Sequence, residues 1–453
     1  MEENTSLHRN VAVIDLEFDL GRLFVVDVDR KGNKQILTSS SFSYKRTDGY
    51  GQLYFDPEAI VKKSITALKK ALYAYPTIED VLILGLGEHI LTMSGDKILS
   101  LPYVKDKRVT PKLIRELNLK CSFPLRYEIS GFNEDTQSAL YRLYADFKEK
   151  KIDKADKFFY LPEYLYWALT HDEAHDLYLA ASGGFLDARR RLYSKSIING
   201  ASLPMSLFKP LKESCVAKAD TCRDVSLQLN KVLRLRLAGD TVVNAFYGEK
   251  PLVDTLYLYQ GAIAFIGALT KGPALDDSSR KLGFNNFILP EGNALVLRLR
   301  PLHIWNMVTA YYGKSLDDLG EIARNANFFD TFDPFDPVFE NPKDLEEEVK
   351  LYFRDKEMTA PKDSSEVIAS ILYSCADALI KQIRQYEAIT YVSWRNIRLN
   401  GLFPKCRFID ERIASTLGKK VSHSEGHGNI LGAISCMLVV EKKEKEIAER
   451  EAD

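Results

Sequence analysis

Asp240 is the residue whose setting most suggests chemistry. It follows a strand-like run and Gly239, and it precedes Thr241 and a helix-like stretch. A carboxylate at the carboxyl end of a strand is well placed as a general base. The same position suits a helix cap, because an aspartate at a helix start accepts a free backbone N–H. His171 and His175 flank Asp172-Glu173-Ala174 at a spacing of four. The zinc-protease pattern H-E-x-x-H needs its Glu directly after the first His, to act on a metal-bound water. Asp172 stands there instead and no third ligand is near. The segment also follows the apolar run 164–169, where a helix is expected to end, so it reads as a surface turn that holds no zinc. His423 and His427 repeat the spacing with the same shortage of ligands.

Two further segments carry suggestive residues. Gly426-His427-Gly428-Asn429, followed by Ile430-Leu431-Gly432, opens a helix through glycines. Exposed N–H groups at a helix start suit an anion. No clear strand precedes it and the third glycine is misplaced for a dinucleotide fingerprint, so a tight turn packing a helix on a sheet is favoured. Asp333-Pro334-Phe335-Asp336-Pro337 offers paired carboxylates, but its prolines fix a loop in which both acids serve as turn residues.

These residues need elements to hold them. Three strand-like runs open the chain at 11–16, 23–28 and 36–43, separated by Asp19-Leu20-Gly21 and by Asp29-Arg30-Lys31-Gly32-Asn33. Asp56-Pro57 then caps an amphipathic helix carrying Ile60, Ile65, Leu68 and Leu72. A buried strand is expected at 81–86. A second set follows: a strand at 232–237, a hairpin at 255–259 and 262–269 around Gln260-Gly261, and a strand at 294–299. Helices are expected at about 364–386 and 429–449. Strands alternating with helices predict an α/β fold. The similar order of elements suggests a duplication and two domains, 1–236 and 237–453. The Lys/Glu alternation of 441–453 reads as a solvated helix end.

Composition agrees. The chain has 453 residues, 45% hydrophobic and 28% charged, enough for two sizeable cores. With 62 basic against 63 acidic residues, it lacks the basic excess of a nucleic-acid binder. No apolar run reaches the roughly 18 residues of a membrane helix, and the start MEENTSLHRN has no signal core. Six scattered cysteines without a C-x-x-C point to a reducing cytoplasm.

Several segments together resemble the FGGY carbohydrate kinases, and within them the rhamnulokinases. Phe159 to Thr170, reading FYLPEYLYWALT, is similar to the family's L-P-D-L-L-x-Y-W-L-T-G. Phe332-Asp333-Pro334-Phe335-Asp336-Pro337-Val338-Phe339, with Asn341-Pro342 after it, resembles F-I-D-P-D-D-P-x-F-x-x-P. Lys105-Asp106-Lys107-Arg108 resembles Y-R-D-x-R, and Gly239-Asp240-Thr241 resembles the H-D-T that opens the second domain. The resemblance implies two actin-like (ribonuclease H-like) domains with sugar and nucleotide in the cleft between them. It implies phosphoryl transfer from Mg-ATP to a sugar hydroxyl, with Asp240 as base and Thr241 and Arg300 on the sugar side. It places Asp15, Gly21, Arg22, Gly261 and Asn396 at the nucleotide, with Asp15 holding the magnesium. A homodimer is compatible with it.

The departures fall on the ligand contacts. The first phosphate hairpin, D-L-G-x-S-S-G-R in the family, is Asp15-Leu16-Glu17-Phe18-Asp19-Leu20-Gly21-Arg22 here. Carboxylates beside a triphosphate repel it unless a metal intervenes. The second, S-S-G-T-W-S, becomes Tyr259-Gln260-Gly261-Ala262-Ile263-Ala264, without the threonine. The adenosine segment G-G-G-S-x-N is assigned to Tyr391-Val392-Ser393-Trp394-Arg395-Asn396, where side chains replace glycines that admit the purine. The family's K-N-x-x-G-x-W-x-x-Q keeps Trp305 but has Arg300, His303 and Val308 at its asparagine, glycine and glutamine. The sugar-side D-T-W-G has no counterpart, and Gly85 to His89 occupy that region. The expectation is therefore an FGGY-type sugar kinase with weak or absent nucleotide binding; the alternative is an inactive pseudokinase that binds a sugar or regulates.

Overall fold

The computed structural model describes every residue except 1–7, 18–19, 44–45, 50, 86, 136, 248–253, 262–263, 291, 402, 404, 425–426 and 453. The chain is α/β and forms two compact units. The first comprises 1–251, 269–295 and 428–453; the second comprises 252–268 and 296–427. The boundary expected near Arg236 falls inside the first unit. The reason is strand pairing: Arg234–Asp240 runs parallel to Asp80–Gly85, so 234–240 completes the first sheet.

That sheet has six strands in the order Lys218–Asp220, Arg234–Asp240, Asp80–Gly85, His8–Leu16, Gly21–Asp29 and Lys34–Phe42. The three inner strands 234–240, 80–85 and 8–16 are parallel, and the opening strands form antiparallel hairpins. Successive side chains of a strand face opposite ways, and the opening strand shows it. Ala12, Ile14 and Leu16 pack with Ile60 and Leu68 of the helix Pro57–Ala74 and with Leu165 of the helix Leu161–Thr170. Val11 and Val13 face the other way, with Leu82 and Leu84, onto Ile430, Ala433, Ile434 and Met437 of the helix Gly428–Ala452. Asp15 continues the second series. Asp56 caps the helix Pro57–Ala74 by accepting from the Ala59 N–H at 3.0 Å, with Pro57 in the first turn as the sequence predicts.

The C-terminal helix departs from the expected solvated end. Glu441 and Glu444 turn inward. Glu441 Oε2 lies 2.6 Å from Arg9 Nη2, and Glu444 Oε2 lies 2.7 Å from Lys218 Nζ and 3.4 Å from the buried Arg236. Among the described residues the other charges of that alternation face water, because two of its acids fall on the helix side that meets the sheet.

In the second unit the strands Ala264–Thr270, Thr255–Gln260, Asn396–Gly401 and Lys420–His423 lie side by side in that order. The first pair is the expected hairpin, with Gln260 opposite Ala264, and the next two pairings are parallel. Each unit thus has a hairpin whose first strand pairs in parallel with a later strand, which pairs in parallel with a third. The helix Ser364–Thr390 buries Val367, Ile371, Leu379 and Ile383, is capped by Asp363, and ends at Tyr391 with φ +54°. Among the described residues no helix is long and apolar enough to cross a membrane.

Candidate functional site

Asp240 ends its strand opposite Gly85 of the central strand and is buried. Its Oδ1 accepts the Val242 N–H at 2.7 Å, at the start of the helix Thr241–Tyr247. The capping role is therefore real, yet it uses one oxygen. The other faces Gly87, where an added Cβ would stand 3.5 Å from Oδ2. Burial raises the carboxyl pKa to about 7; the Val242 N–H opposes this and nearby Glu88 adds to it. A carboxyl tuned close to neutrality suits proton transfer. Thr241, beside it, is buried.

Asp15 stands near the carboxyl end of the opening strand, one strand beyond Gly85. Its Oδ2 accepts from Asn429 Nδ2 at 2.8 Å, and its Oδ1 is buried with no donor among the described residues. Its pKa is raised to about 7, first by burial and then by Glu17, against Asn429 and Arg22. Glu17 closes the turn after this strand through a 3.0 Å bond from its N–H to the Leu20 carbonyl. Its carboxylate lies 3.5 Å from Arg22 Nε. Arg22, opposite Asp15 in the hairpin, is thereby engaged by an acid of its own turn. Gly21 has no room for a side chain, because a Cβ there would strike the Phe42 ring. Phe18 and Asp19 lie outside the described residues.

The HDEAH segment corrects its sequence reading. His171 ends the helix Leu161–Thr170 in the left-handed conformation at φ +62° and is exposed. His175 is fully buried, with Nδ1 3.3 Å from Glu163. It is not part of a surface turn. The buried Glu163 also accepts from the backbone N–H of Tyr160 and Asp176, and this pulls the segment inward.

Comparison with known proteins bears on the fold. No family model matches the chain. A rhamnulokinase of Halalkalibacterium halodurans is 23% identical over 427 residues, covering 90% of this chain and 88% of that one. A rhamnulokinase of Oceanobacillus iheyensis is 21% identical over 441 residues, covering 93% and 92%. Among solved structures, a ligand-bound xylulose kinase from Lactobacillus acidophilus superposes with a TM-score of 0.73 at 14% identity, covering 95% of this chain and 89% of that one. Glycerol kinase of Plasmodium falciparum with ADP gives 0.72 at 14% identity, covering 94% and 88%. The chain resembles the FGGY carbohydrate kinases. Its FGGY-like fold is that of two actin-like domains.

In the second unit the FGGY-like positions separate. Gly261 directly follows the strand Thr255–Gln260, at its carboxyl end, while Ala262 lies outside the described residues. Asn396 pairs with Thr255 at the opposite end of the same strand and donates to the Asp254 carbonyl at 3.1 Å. The two residues assigned to the nucleotide are therefore not brought together: their rows are six steps of extended chain apart, about 20 Å. The segment 391–396 leads from the helix Ser364–Thr390 into the strand. Gly401 is the glycine at the Gly261 end of the strand pair, opposite Gln260. It has φ +74°, and a Cβ there would collide with the Gln260 carbonyl oxygen. The signal that could have found it is Asn400-Gly401 after the run 396–399, since ligand loops follow the carboxyl ends of parallel strands. Arg300 is exposed and bound to the 333–337 loop. It donates to the Phe335 carbonyl at 2.7 Å, and its guanidinium lies 4.4 Å from the Phe335 ring centre. Asp333 and Asp336 are turn residues there, accepting from the N–H groups of Phe335 and Val338.

Proposed function

We propose that this protein is an FGGY-type carbohydrate kinase, phosphorylating a sugar hydroxyl at the expense of ATP. The observation that carries the reading is Asp240: a buried carboxylate at the carboxyl end of a parallel strand, with one oxygen held by Val242 and the other towards Gly87. Asp240 takes the proton of the attacking hydroxyl on Oδ2. Val242 fixes the carboxylate so that this oxygen keeps its direction, and burial keeps it basic enough to accept the proton.

The residues fit magnesium better than they fit a triphosphate. Asp15 offers a buried oxygen without a donor among the described residues, and magnesium is commonly held by one or two carboxylates while keeping several waters. Magnesium and ATP, when bound, supply the phosphoryl group and neutralise its charge. Asn429 orients Asp15 for that role, whereas Glu17 occupies Arg22 and adds negative charge at the first hairpin.

A second reading rests on Glu17: a protein of this fold that binds a sugar and transfers nothing. One experiment separates the two. The protein is incubated with MgATP and a panel drawn from the substrates named for its relatives, namely rhamnulose, xylulose, gluconate and glycerol, and ADP release is followed. Turnover that Asp240→Asn abolishes supports the kinase. Sugar binding by calorimetry without ADP release sinks it and leaves the second reading.

A further inference from the structure

Gly239 and Asp240 do not end their strand regularly. Leu237 pairs with Ile83 and Asp240 with Gly85, so the strand Arg234–Asp240 carries one extra residue: a β-bulge. Gly239 sits in it with φ +73°, a conformation that side chains disfavour. Bulges re-aim the side chain that follows, and here that side chain is Asp240.

The bulge is buttressed. An added Cβ on Gly239 would collide with Ser214 Oγ and come within 3.2 Å of Asp176 Oδ1. Ser214 Oγ donates to Asp176 Oδ2 at 2.8 Å, and both residues are buried. Asp176 is itself anchored. Its Oδ1 accepts the N–H groups of Tyr178 and Leu179 at 2.8 and 3.1 Å, capping the helix Leu177–Ser182, and its own N–H is held by Glu163. The backbone next to Ser214 is tied to the same strand, since the Cys215 N–H donates to the Leu237 carbonyl at 2.6 Å. From the other side Asn244 Nδ2 donates to the Ala238 carbonyl at 2.5 Å.

We infer that Asp176 and Ser214 are positioning residues for Asp240, holding the Gly239 bulge in the conformation that directs the Asp240 carboxylate. A hydroxyl bonded to a fixed, buried aspartate blocks the space into which Gly239 would relax. With the bulge relaxed, Asp240 would lose its direction while the sheet stayed intact. The role in turnover rests on the kinase reading; the positioning itself does not.

The test uses protein with carboxyl-¹³C aspartate, the Asp240 resonance being assigned by its loss in Asp240→Asn. Ser214→Ala is compared with Ser64→Ala, an equally buried serine on the helix Pro57–Ala74. Ser214→Ala is expected to move the Asp240 resonance and to lower its titration midpoint by about one unit or more as water enters. Ser64→Ala should move neither. Ser214→Cys keeps the volume against Gly239 and weakens the bond to Asp176, so it should give a smaller change of the same sign. In protein that turns over, Ser214→Ala should lower kcat about 10- to 100-fold, with KM changed by less than roughly threefold. An Asp240 resonance unmoved in both Ser214 variants overturns the inference whatever the activity. A resonance that moves in protein that never releases ADP upholds the positioning and sinks only the kinase reading.

Discussion

Asn429 reaches Asp15 at 2.8 Å, joining the start of the last helix to the end of the first strand. Asp15 extends the inward series of Val11 and Val13, and the helix Gly428–Ala452 covers that face with Ile430 and Ile434. The contact therefore follows from strand alternation and from the register of one helix. It leaves Oδ1 buried, with no donor among the described residues.

Stability should fall with rising pH. Burial holds Asp15, Asp176 and Asp240 each up to about 7. Between about pH 4 and 7 the folded protein keeps protons that the unfolded chain has released, so stability decreases through that window. Burial acts to lower His175, but Glu163 and Glu173 outweigh it and lift its pKa to about 9. That contribution is complete below its unfolded value and disappears as pH rises through 9. All four groups slope the same way. Tm at pH 5 should exceed Tm at pH 8, and Asp240→Asn should narrow the gap. A native Tm that rises between these pH values refutes the assignment.

Glu17→Gly should strengthen MgATP binding by about tenfold, close to 1.4 kcal/mol. It removes a carboxylate from the first hairpin and releases Arg22 from the 3.5 Å pairing. Calorimetry measures it. An affinity unchanged by the substitution means that Glu17 is not the obstacle.

Gly401→Ala should destabilise the second unit by at least about 1–3 kcal/mol from backbone strain. The conformation is left-handed, and the new Cβ meets the Gln260 carbonyl oxygen, which belongs to the paired strand. Urea unfolding followed by far-ultraviolet circular dichroism tests this. A loss within experimental error would show that the glycine is dispensable there.

Arg236→Ala should cost about 1–3 kcal/mol, the range for losing the hydrogen bonds of a buried charged group, since Glu441 and Glu444 keep Arg9 and Lys218. The guanidinium is buried beneath Glu441 and Glu444 and donates to the Cys215 carbonyl at 2.7 Å. Its removal leaves those acids without their inner partner. Glu444→Gln should cost much less, since that side chain is half exposed. Equal losses in the two variants would contradict the buried-pair argument.

Local pattern carried much of this architecture. The capped helix after Asp56, the two hairpins and the long helix from Ser364 follow from turn residues and apolar spacing, which are short-range. The element order of the two halves was legible for the same reason. What stayed hidden depends on contacts distant in sequence. His175 looks like a turn residue until Glu163 draws it inward. Glu441 and Glu444 look solvated until Arg9, Lys218 and Arg236 meet them. Gly401 stands alone in its segment, and what requires it is one close approach of two backbones rather than a string of glycines. The bulge at Gly239 is invisible in the residues alone, because it is defined by register against Asp80–Gly85.

The first unit draws on three separated stretches, and the last of them, 428–453, covers the sheet face formed by Val11, Val13, Phe24, Val26, Leu82 and Leu84. Synthesis is vectorial. At about 5–20 residues per second, that apolar surface is complete roughly 17–70 s before synthesis reaches the helix that hides it. The nascent chain is thus expected to need a temporary cover there, and a stalled or truncated product to be a target for chaperones and proteases.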